Sequence, residues 1–300
     1  MPDAKYLVIV NPAARHGETA KLIPVIRQLF RPAGCCDIVE STEPLHAKAL
    51  AEAAVRYDIV VAAGGDGTVH EVLGGLMAHA EGTRPALAVL PTGSGNDYRR
   101  TLGISTDLAQ AAEQILTGAR HKVDVGMANG VPFANSVAMG FDARVTAKAV
   151  EYKTTTRLSG LPLYGAALFH VLFKEFYSHR LRVQFDDGPI EQQDLLLVAV
   201  TNGPTYGGGF RITPKARPDD GELDVLAIDS LTLGGALVRL PFVVTGHDSW
   251  MRHVHLTRQQ QVRVWSDVPL PGQIDGEVTI ADHYDVRILP AALDVVMPRR

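Results

Sequence analysis

The chain has 300 residues, of which 46% are hydrophobic and 21% charged, and its formal net charge is −4 at pH 7. That length supports one large core or two domains of ordinary size, and the composition is that of a globular protein. The acidic balance excludes a chain-wide basic footprint for nucleic acid, and the local pairs Arg99-Arg100 and Arg299-Arg300 read as solvated surface.

The N-terminus, MPDAKYLVIVNP, lacks an extended apolar signal region and a small-residue cleavage site. Tyr6 to Val10 is a compact apolar run, read as a buried strand that Asn11-Pro12 ends. Residues 18–30 carry a helical pattern through Leu22, Ile23, Val25, Ile26, Leu29 and Phe30. A second strand runs from Cys36 to Glu40. Cys35 and Cys36 are adjacent and would point to opposite faces, so a mutual disulfide is not expected. Thr42 to Arg56 is Ala-rich and helical, with Pro44 near its start, where a missing N–H costs least. Asp58 to Ala63 reads as a third strand, followed by a Gly-rich turn and a helix to about Met77. Ala86 to Leu90 is a fourth strand, followed by another Gly-rich turn and more helix. Repeated strand–loop–helix units imply a parallel sheet with helices on both faces.

The pattern changes after Asp124. Asn129-Gly130 between two apolar runs is a hairpin signal. Strands are predicted at Arg180–Phe185, Asp194–Thr201, Leu223–Ile228, His253–Leu256, Gln261–Trp265 and Tyr284–Leu289, separated by turn residues such as Asp219-Asp220-Gly221 and Asp275-Gly276. Helical patterns cover 142–177 and 232–247. Leu161–Phe173 is the most apolar stretch, but it falls short of the roughly 20 residues a membrane span needs and contains Pro162 and His170. Its plainest reading is a helix packed in the core; lining a lipid tunnel or touching a membrane is the functional one. This half reads as a mainly antiparallel β domain with helical insertions. A cytoplasmic location is expected, with peripheral membrane contact and homodimerisation left open.

The strongest chemical signal is Gly64-Gly65-Asp66-Gly67-Thr68, directly after a buried strand and before a helix. Ligands bind at that edge of a parallel sheet. Glycines let the backbone approach phosphate and leave N–H groups to donate, and the helix N-terminus adds partial positive charge. Asp66 would repel bare phosphate, so it reads as a Mg²⁺ or water-network residue or as an acceptor within the loop. A plain Gly-rich turn with an Asp cap is the structural alternative. Two similar loops follow other strands: Asn11-Pro12-Ala13-Ala14-Arg15-His16-Gly17 and Pro91-Thr92-Gly93-Ser94-Gly95-Asn96-Asp97. Three such loops at one sheet edge point to a phosphate-bearing ligand. Neither a Walker A nor a Rossmann glycine pattern stands at the first loop.

In the second half, Asp275 and Glu277 project from one tight turn. Phosphoryl transfer needs positioning, offset of phosphate charge and a carboxylate to take the acceptor's proton. Asp275 is favoured as the base, with Glu277 orienting it or a metal. His253 and His255 share a strand face, yet no third metal ligand stands nearby.

The ordered set NPAARHG at 11–17, GGDGTVHEV at 64–72, LPTGSGNDYRRTLGI at 90–104, TNGPTYGGGFRITPKARPDDGELDV at 201–225 and QIDGEVT at 273–279 resembles the diacylglycerol kinase catalytic-domain family, which includes sphingosine and ceramide kinases. The resemblance covers nearly the whole chain. It implies a nucleotide-binding α/β domain of NAD kinase and phosphofructokinase type at 1–125 plus 289–300. A β-rich, sandwich-like lipid-substrate domain would span 126–288. It implies an ATP- and Mg²⁺-dependent kinase acting on a hydroxyl of diacylglycerol or a related lipid. Asn11, Pro12, Ala13, Ala14 and Arg15, with Thr42, would line the ATP site. So would Gly64, Gly65, Asp66, Gly67, Thr68 and Glu71, and Thr92, Gly93, Ser94, Asn96 and Asp97. The carbonyls of Arg217 and Glu222 with the Asp220 carboxylate would hold a structural Mg²⁺, and Asp275 and Glu277 would supply the base. Arg15 and His70 depart from the residues usual at those positions. An NAD kinase is the nearest rival, but the Gly-Ser-Thr-Ala-Tyr motif of that family is absent. A non-catalytic lipid-binding or regulatory protein on the same scaffold is the rival from another class.

Overall fold

The computed structural model describes residues 4–247 and 251–299; the first three residues and Arg300, which enter the N-terminal and terminal basic-pair readings, lie outside them. The chain divides into two compact units, Met1–Val125 with Ala291–Arg300, and Gly126–Pro290.

In the first unit, β1 (Lys5–Val10), β2 (Cys35–Glu40), β3 (Ile59–Gly64) and β4 (Ala86–Pro91) form a parallel sheet in the order β2-β1-β3-β4. The end of the long strand β13 (Glu277–Met297) joins it, with Val295 beside Leu87 in parallel. β3 and β4 are buried along their whole length, because helices cover the sheet and no face is left for polar side chains. The helices are α1 (Ile23–Leu29), α2 (His46–Glu52), α3 (Asp66–Leu76), α4 (Asp97–Leu102) and α5 (Leu108–Thr117). Two are shorter than the sequence pattern predicts. A 3₁₀ turn at Glu18–Leu22 precedes α1, whose Pro24 sits in the first turn. Leu45 is left-handed, with φ of 65°, so α2 starts at His46, beyond Pro44.

The second unit is antiparallel. β7 (Ser136–Gly140) and β8 (His179–Phe185) both pair with β9 (Glu191–Thr201) and with β12 (Gln261–Ile274), while β10 (Leu223–Asp229) and β11 (Val254–Gln259) extend the sheet beyond β9. One core lies on one face, with Leu195, Val198 and Val200 of β9 beside Leu223 and Val225 of β10. The opposite face, carrying Leu196, Ala199, Leu226 and Ile228, packs on α6 (Phe141–Thr155), α7 (Gly160–Lys174) and α8 (Leu233–Val243). This is the alternation that sheets buried on both faces require. The helical pattern over 142–177 is two helices. The Thr156 hydroxyl donates to the Tyr152 carbonyl at 2.7 Å and an extended Thr156 ends α6. β5 (Ala119–Ala128) turns into β6 (Val131–Phe133) through Asn129 and Gly130, with φ of 48° and 82°, as an Asn-Gly hairpin should. No helix among the described residues is long and apolar enough to cross a membrane.

Candidate active site

The first unit knits the three polar loops into one edge. Asn11 Nδ2 donates to Thr68 Oγ1 at 3.1 Å, and Asn11 Oδ1 accepts from its own loop at the Ala13 N–H. Arg15, His16 and Gly17 are consecutive positive-φ residues, so the loop after β1 reverses tightly and leaves Arg15 exposed. Gly65 precedes α3 and has no side chain to cap the first turn of that 11-residue helix, whose N-terminus carries partial positive charge. Thr92 and Gly93 donate their N–H groups to the Gly64 carbonyl at 3.1 and 3.0 Å. The Thr19 hydroxyl donates to the Thr92 carbonyl at 3.1 Å. The Thr92 hydroxyl is buried and has no hydrogen-bond partner among the described residues.

Asp66 acts within the loops. Its Oδ1 accepts the Tyr98 N–H at 3.1 Å, and its Oδ2 lies 2.6 Å from where a Cβ on Gly95 would stand. The buried Asp97 pairs with Arg100 at 2.7 Å, and the Asn96 amide donates to the Gly93 carbonyl at 2.7 Å. Ser94 and Gly67 face solvent at the edge. Thr42 and Glu71 serve α2: His46 Nδ1 lies 3.1 Å from the Thr42 N and 3.0 Å from its Oγ1, and Glu71 Oε2 accepts the Ala47 N–H at 3.2 Å. Of the nucleotide-site residues suggested by the resemblance, those in the three loops share one edge, whereas Glu71 also has a structural task.

In the second unit, Asp275 and Gly276 form the two-residue turn between β12 and β13, with φ of 49° and 91° and Ile274 facing Glu277. The Asp275 carboxylate is held by three backbone N–H groups: Ala134 at 2.7 Å, Asn135 at 2.9 Å and Ser136 at 3.0 Å. Its own N–H donates to the Ser136 carbonyl at 2.8 Å. Asn202 pins the same segment, its N–H on the Asn135 carbonyl at 2.7 Å and its amide on the Ala134 carbonyl at 3.1 Å. Glu277 is exposed, and its carboxylate makes no hydrogen bond or ion pair with the described residues. Of the two carboxylates, Asp275 is thus engaged by backbone amides and Glu277 is exposed.

At the Asp219-Asp220-Gly221 turn, Asp220 Oδ1 accepts the Glu222 N–H at 3.2 Å, while its Oδ2 is buried without a hydrogen bond. A buried hard oxygen without a hydrogen bond, on a turn that also carries carbonyls, suits Mg²⁺ chemically. Arg258 already brings positive charge to the cluster, 3.6 Å from Asp220, 3.3 Å from Glu222 and 3.6 Å from Asp224. Burial pushes the Asp224 carboxyl up, and Arg258 opposes that. Arg217 turns its guanidinium to Asp219 at 3.1 Å. No group of three His, Cys, Asp or Glu side chains among the described residues is placed to hold a metal. His253 and His255 both face Asp229, at 3.1 and 3.0 Å, which accounts for that pair without a metal.

Sequence reasoning missed Asp142, Tyr206 and Gln273, which meet inside the second unit. Burial pushes the Asp142 carboxyl up to about 7, against hydrogen bonds from Tyr206 and Gln273. The available signal was an acid directly after the apolar run Val137–Phe141, and a Tyr directly before Gly207-Gly208-Gly209.

Residues 5–128 match the family described as diacylglycerol kinase catalytic domain, and residues 135–297 match the YegS C-terminal NAD kinase beta sandwich-like domain. A protein of Chromohalobacter salexigens named "Probable lipid kinase YegS-like" is 32% identical over 80% of this chain and 76% of its own length. The diacylglycerol kinase of Bacillus subtilis is 28% identical over 90% of this chain and 88% of its own. Among solved structures, a diacylglycerol kinase of Bacillus anthracis superposes with a TM-score of 0.73 at 22% identity, covering 98% of this chain and 97% of that one. An NAD kinase of Archaeoglobus fulgidus in complex with ATP gives 0.55 at 11% identity, covering 98% and 93%, a likeness of fold alone.

Proposed function

The chain belongs to the diacylglycerol kinase catalytic-domain family, and from that membership we propose that it transfers the γ-phosphoryl group of ATP to a hydroxyl of diacylglycerol or a related lipid. The observation that carries the reading is the Asp275-Gly276-Glu277 turn: one carboxylate is locked by three amides and the next is open to a substrate. Glu277 takes the proton from the acceptor hydroxyl, and Asp275 fixes the turn that presents it. The uncapped start of α3 and the loops after β1 and β4 hold the phosphates. Mg²⁺ bound with ATP would offset phosphate charge during transfer, and a second Mg²⁺ would sit on Asp220 with the Arg217 and Glu222 carbonyls. The products are a phosphorylated lipid and ADP.

The exposed faces of α7 and α8 support a lipid acceptor. Phe169 and Phe173 stand side by side on α7, ring centroids 4.6 Å apart, and Val238 and Phe242 are exposed on α8. Apolar side chains in that setting suit contact with a lipid surface.

The purified protein, incubated with γ-labelled ATP, Mg²⁺ and micelles of diacylglycerol, phosphatidylglycerol or a sphingoid base, with NAD in parallel, is expected to label a lipid. Label in NAD alone, or in no acceptor despite ATP binding, would overturn the proposal.

The nucleotide loops carry a sharper prediction. A Cβ on Gly93 would overlap the Gly65 Cα and stand 2.7 Å from the Gly65 N. Gly93→Ala should part the loops and weaken binding of a non-hydrolysable ATP analogue roughly 10- to 100-fold, since such overpacking costs about 1–3 kcal/mol. Gly74→Ala, on α3 with no atom closer than 3.5 Å to the new Cβ, is the control. Calorimetric titration that finds equal affinity in both variants would refute the close approach.

A further inference from the structure

The helix-covered face of the second unit encloses a cavity of about 40 Å³. Its walls come from α6, α7, α8, β9 and β10 and from the segment around Gly207-Gly208-Gly209; Leu168, Leu197, Phe210 and Ile212 are typical of them. Against these walls stands one carboxyl group, that of Asp142, with Tyr206 beside it. Among the described residues no Lys, Arg or His lines the cavity, and Tyr206 and Tyr164 are the other ionisable residues there.

Asp142 is placed with care. It lies in the first turn of α6, after Gly140, whose φ of 84° sets the entry of the chain into the helix. Tyr206 and Gln273 hydrogen-bond to its carboxyl, yet its Oδ2 is fully buried and has no hydrogen-bond partner among the described residues. Buried polar atoms are seldom left so. Gln273 connects the group to the catalytic turn, because its Oε1 accepts the Gly276 N–H at 2.7 Å. Tyr164, on the cavity wall, has its hydroxyl 4.0 Å from where a Cβ on Gly276 would stand. The polar end of the cavity thus abuts the turn that bears Glu277. Its volume holds a few water-sized groups, which suits a carbonyl and its neighbouring carbons rather than a whole acyl chain.

We propose that Asp142 is the headgroup contact for the acceptor lipid: its Oδ2–H donates to an ester carbonyl oxygen close to the hydroxyl that is phosphorylated. Asp142 thereby selects ester-linked glycerolipids over alcohols without such an oxygen. The inference rests on the lipid-kinase reading of the same site. The protonated form is what burial favours at this position, with the carboxyl pushed up to about 7. With Tyr206 and Gln273 already on the carboxyl, the proton belongs on the unpartnered oxygen.

The test compares a diacylglycerol with the dialkyl ether of the same chain length, which keeps the free hydroxyl and lacks the carbonyls. Wild type, Asp142→Asn and Asp142→Leu are assayed for phosphate transfer, and in parallel for binding of pyrene-labelled ester and ether. Wild type should prefer the ester roughly 5- to 100-fold, the worth of one buried hydrogen bond, and Asp142→Leu should bring that ratio close to one. Asp142→Asn keeps a donor but cannot ionise. Its KM for the ester should therefore stay level where that of wild type climbs as pH passes about 7. An unchanged ester-to-ether ratio in Asp142→Leu, or the same pH profile in wild type and Asp142→Asn, would overturn the assignment. Ester-selective binding that depends on Asp142, with no transfer to any lipid, would support the contact and overturn the kinase reading instead.

Discussion

Replacing Glu277 with Gln should lower kcat by about 10²–10⁴-fold, the range a positioned general base contributes. Nucleotide affinity and folding should barely change, because the Glu277 carboxylate is exposed and bonds to none of the described residues. Asp275→Asn should behave differently. Its carboxylate accepts from Ala134, Asn135 and Ser136, and an amide would turn an NH₂ donor toward donors. Each backbone N–H left unsatisfied costs about 1–3 kcal/mol, so this variant should melt early and lose activity as the turn loosens. Single-turnover kinetics and thermal melts on both variants separate base from scaffold. If Asp275→Asn melts like wild type while its chemical step collapses, and Glu277→Gln retains its rate, the base is Asp275.

The two carboxylates show where reading the sequence stopped. Their residue types and spacing were legible, because an Asp-Gly pair between two strands calls for a tight turn and chemistry needs a carboxylate. Their surroundings were not. Asp275 accepts from the backbone N–H groups of Ala134–Ser136, far away in the chain, and no side-chain pattern announces which N–H groups a fold leaves pointing at a carboxylate. The strands of the first unit were legible for the opposite reason: burial on both faces leaves uninterrupted apolar runs such as Ile59–Ala63 and Ala86–Leu90. The helices were legible in kind but not in extent. Composition favours helix from Thr42 onward, yet the left-handed Leu45 delays α2 to His46. The break between α6 and α7 lies at Thr156, whose extended backbone ends α6. Asp66 read either as a Mg²⁺ or water-network residue or as an acceptor within the loop; its Oδ1 accepts the Tyr98 N–H, a contact set by the chain 32 residues on rather than by its own neighbours. Asp142 was passed over because a single acid at a helix start is ordinary; the apolar walls that make it unusual come from five other elements.

Asp142 should also make the stability of the fold depend on pH. Its carboxyl is pushed up to about 7 from the ordinary 3.8, chiefly by burial. The folded chain therefore keeps a proton that the unfolded chain releases near pH 4. The stabilisation associated with that proton is fully present below about pH 4 and is lost as pH rises through about 7, on the order of 4 kcal/mol in all. Asp142→Asn cannot titrate, so its unfolding free energy should gain on that of wild type by about 3 kcal/mol between pH 5 and 8. The remaining carboxylates and histidines are common to both chains and cancel in the difference. Urea denaturation at pH 5, 6, 7 and 8 measures it. A gap that widens toward pH 8 is the signature of a carboxyl buried as its neutral acid. A gap constant to within about 0.5 kcal/mol, below what linkage for such a group allows, would mean that Asp142 is ionised in the fold and that its Oδ2 is an acceptor rather than a donor. The ester preference would then have no proton behind it.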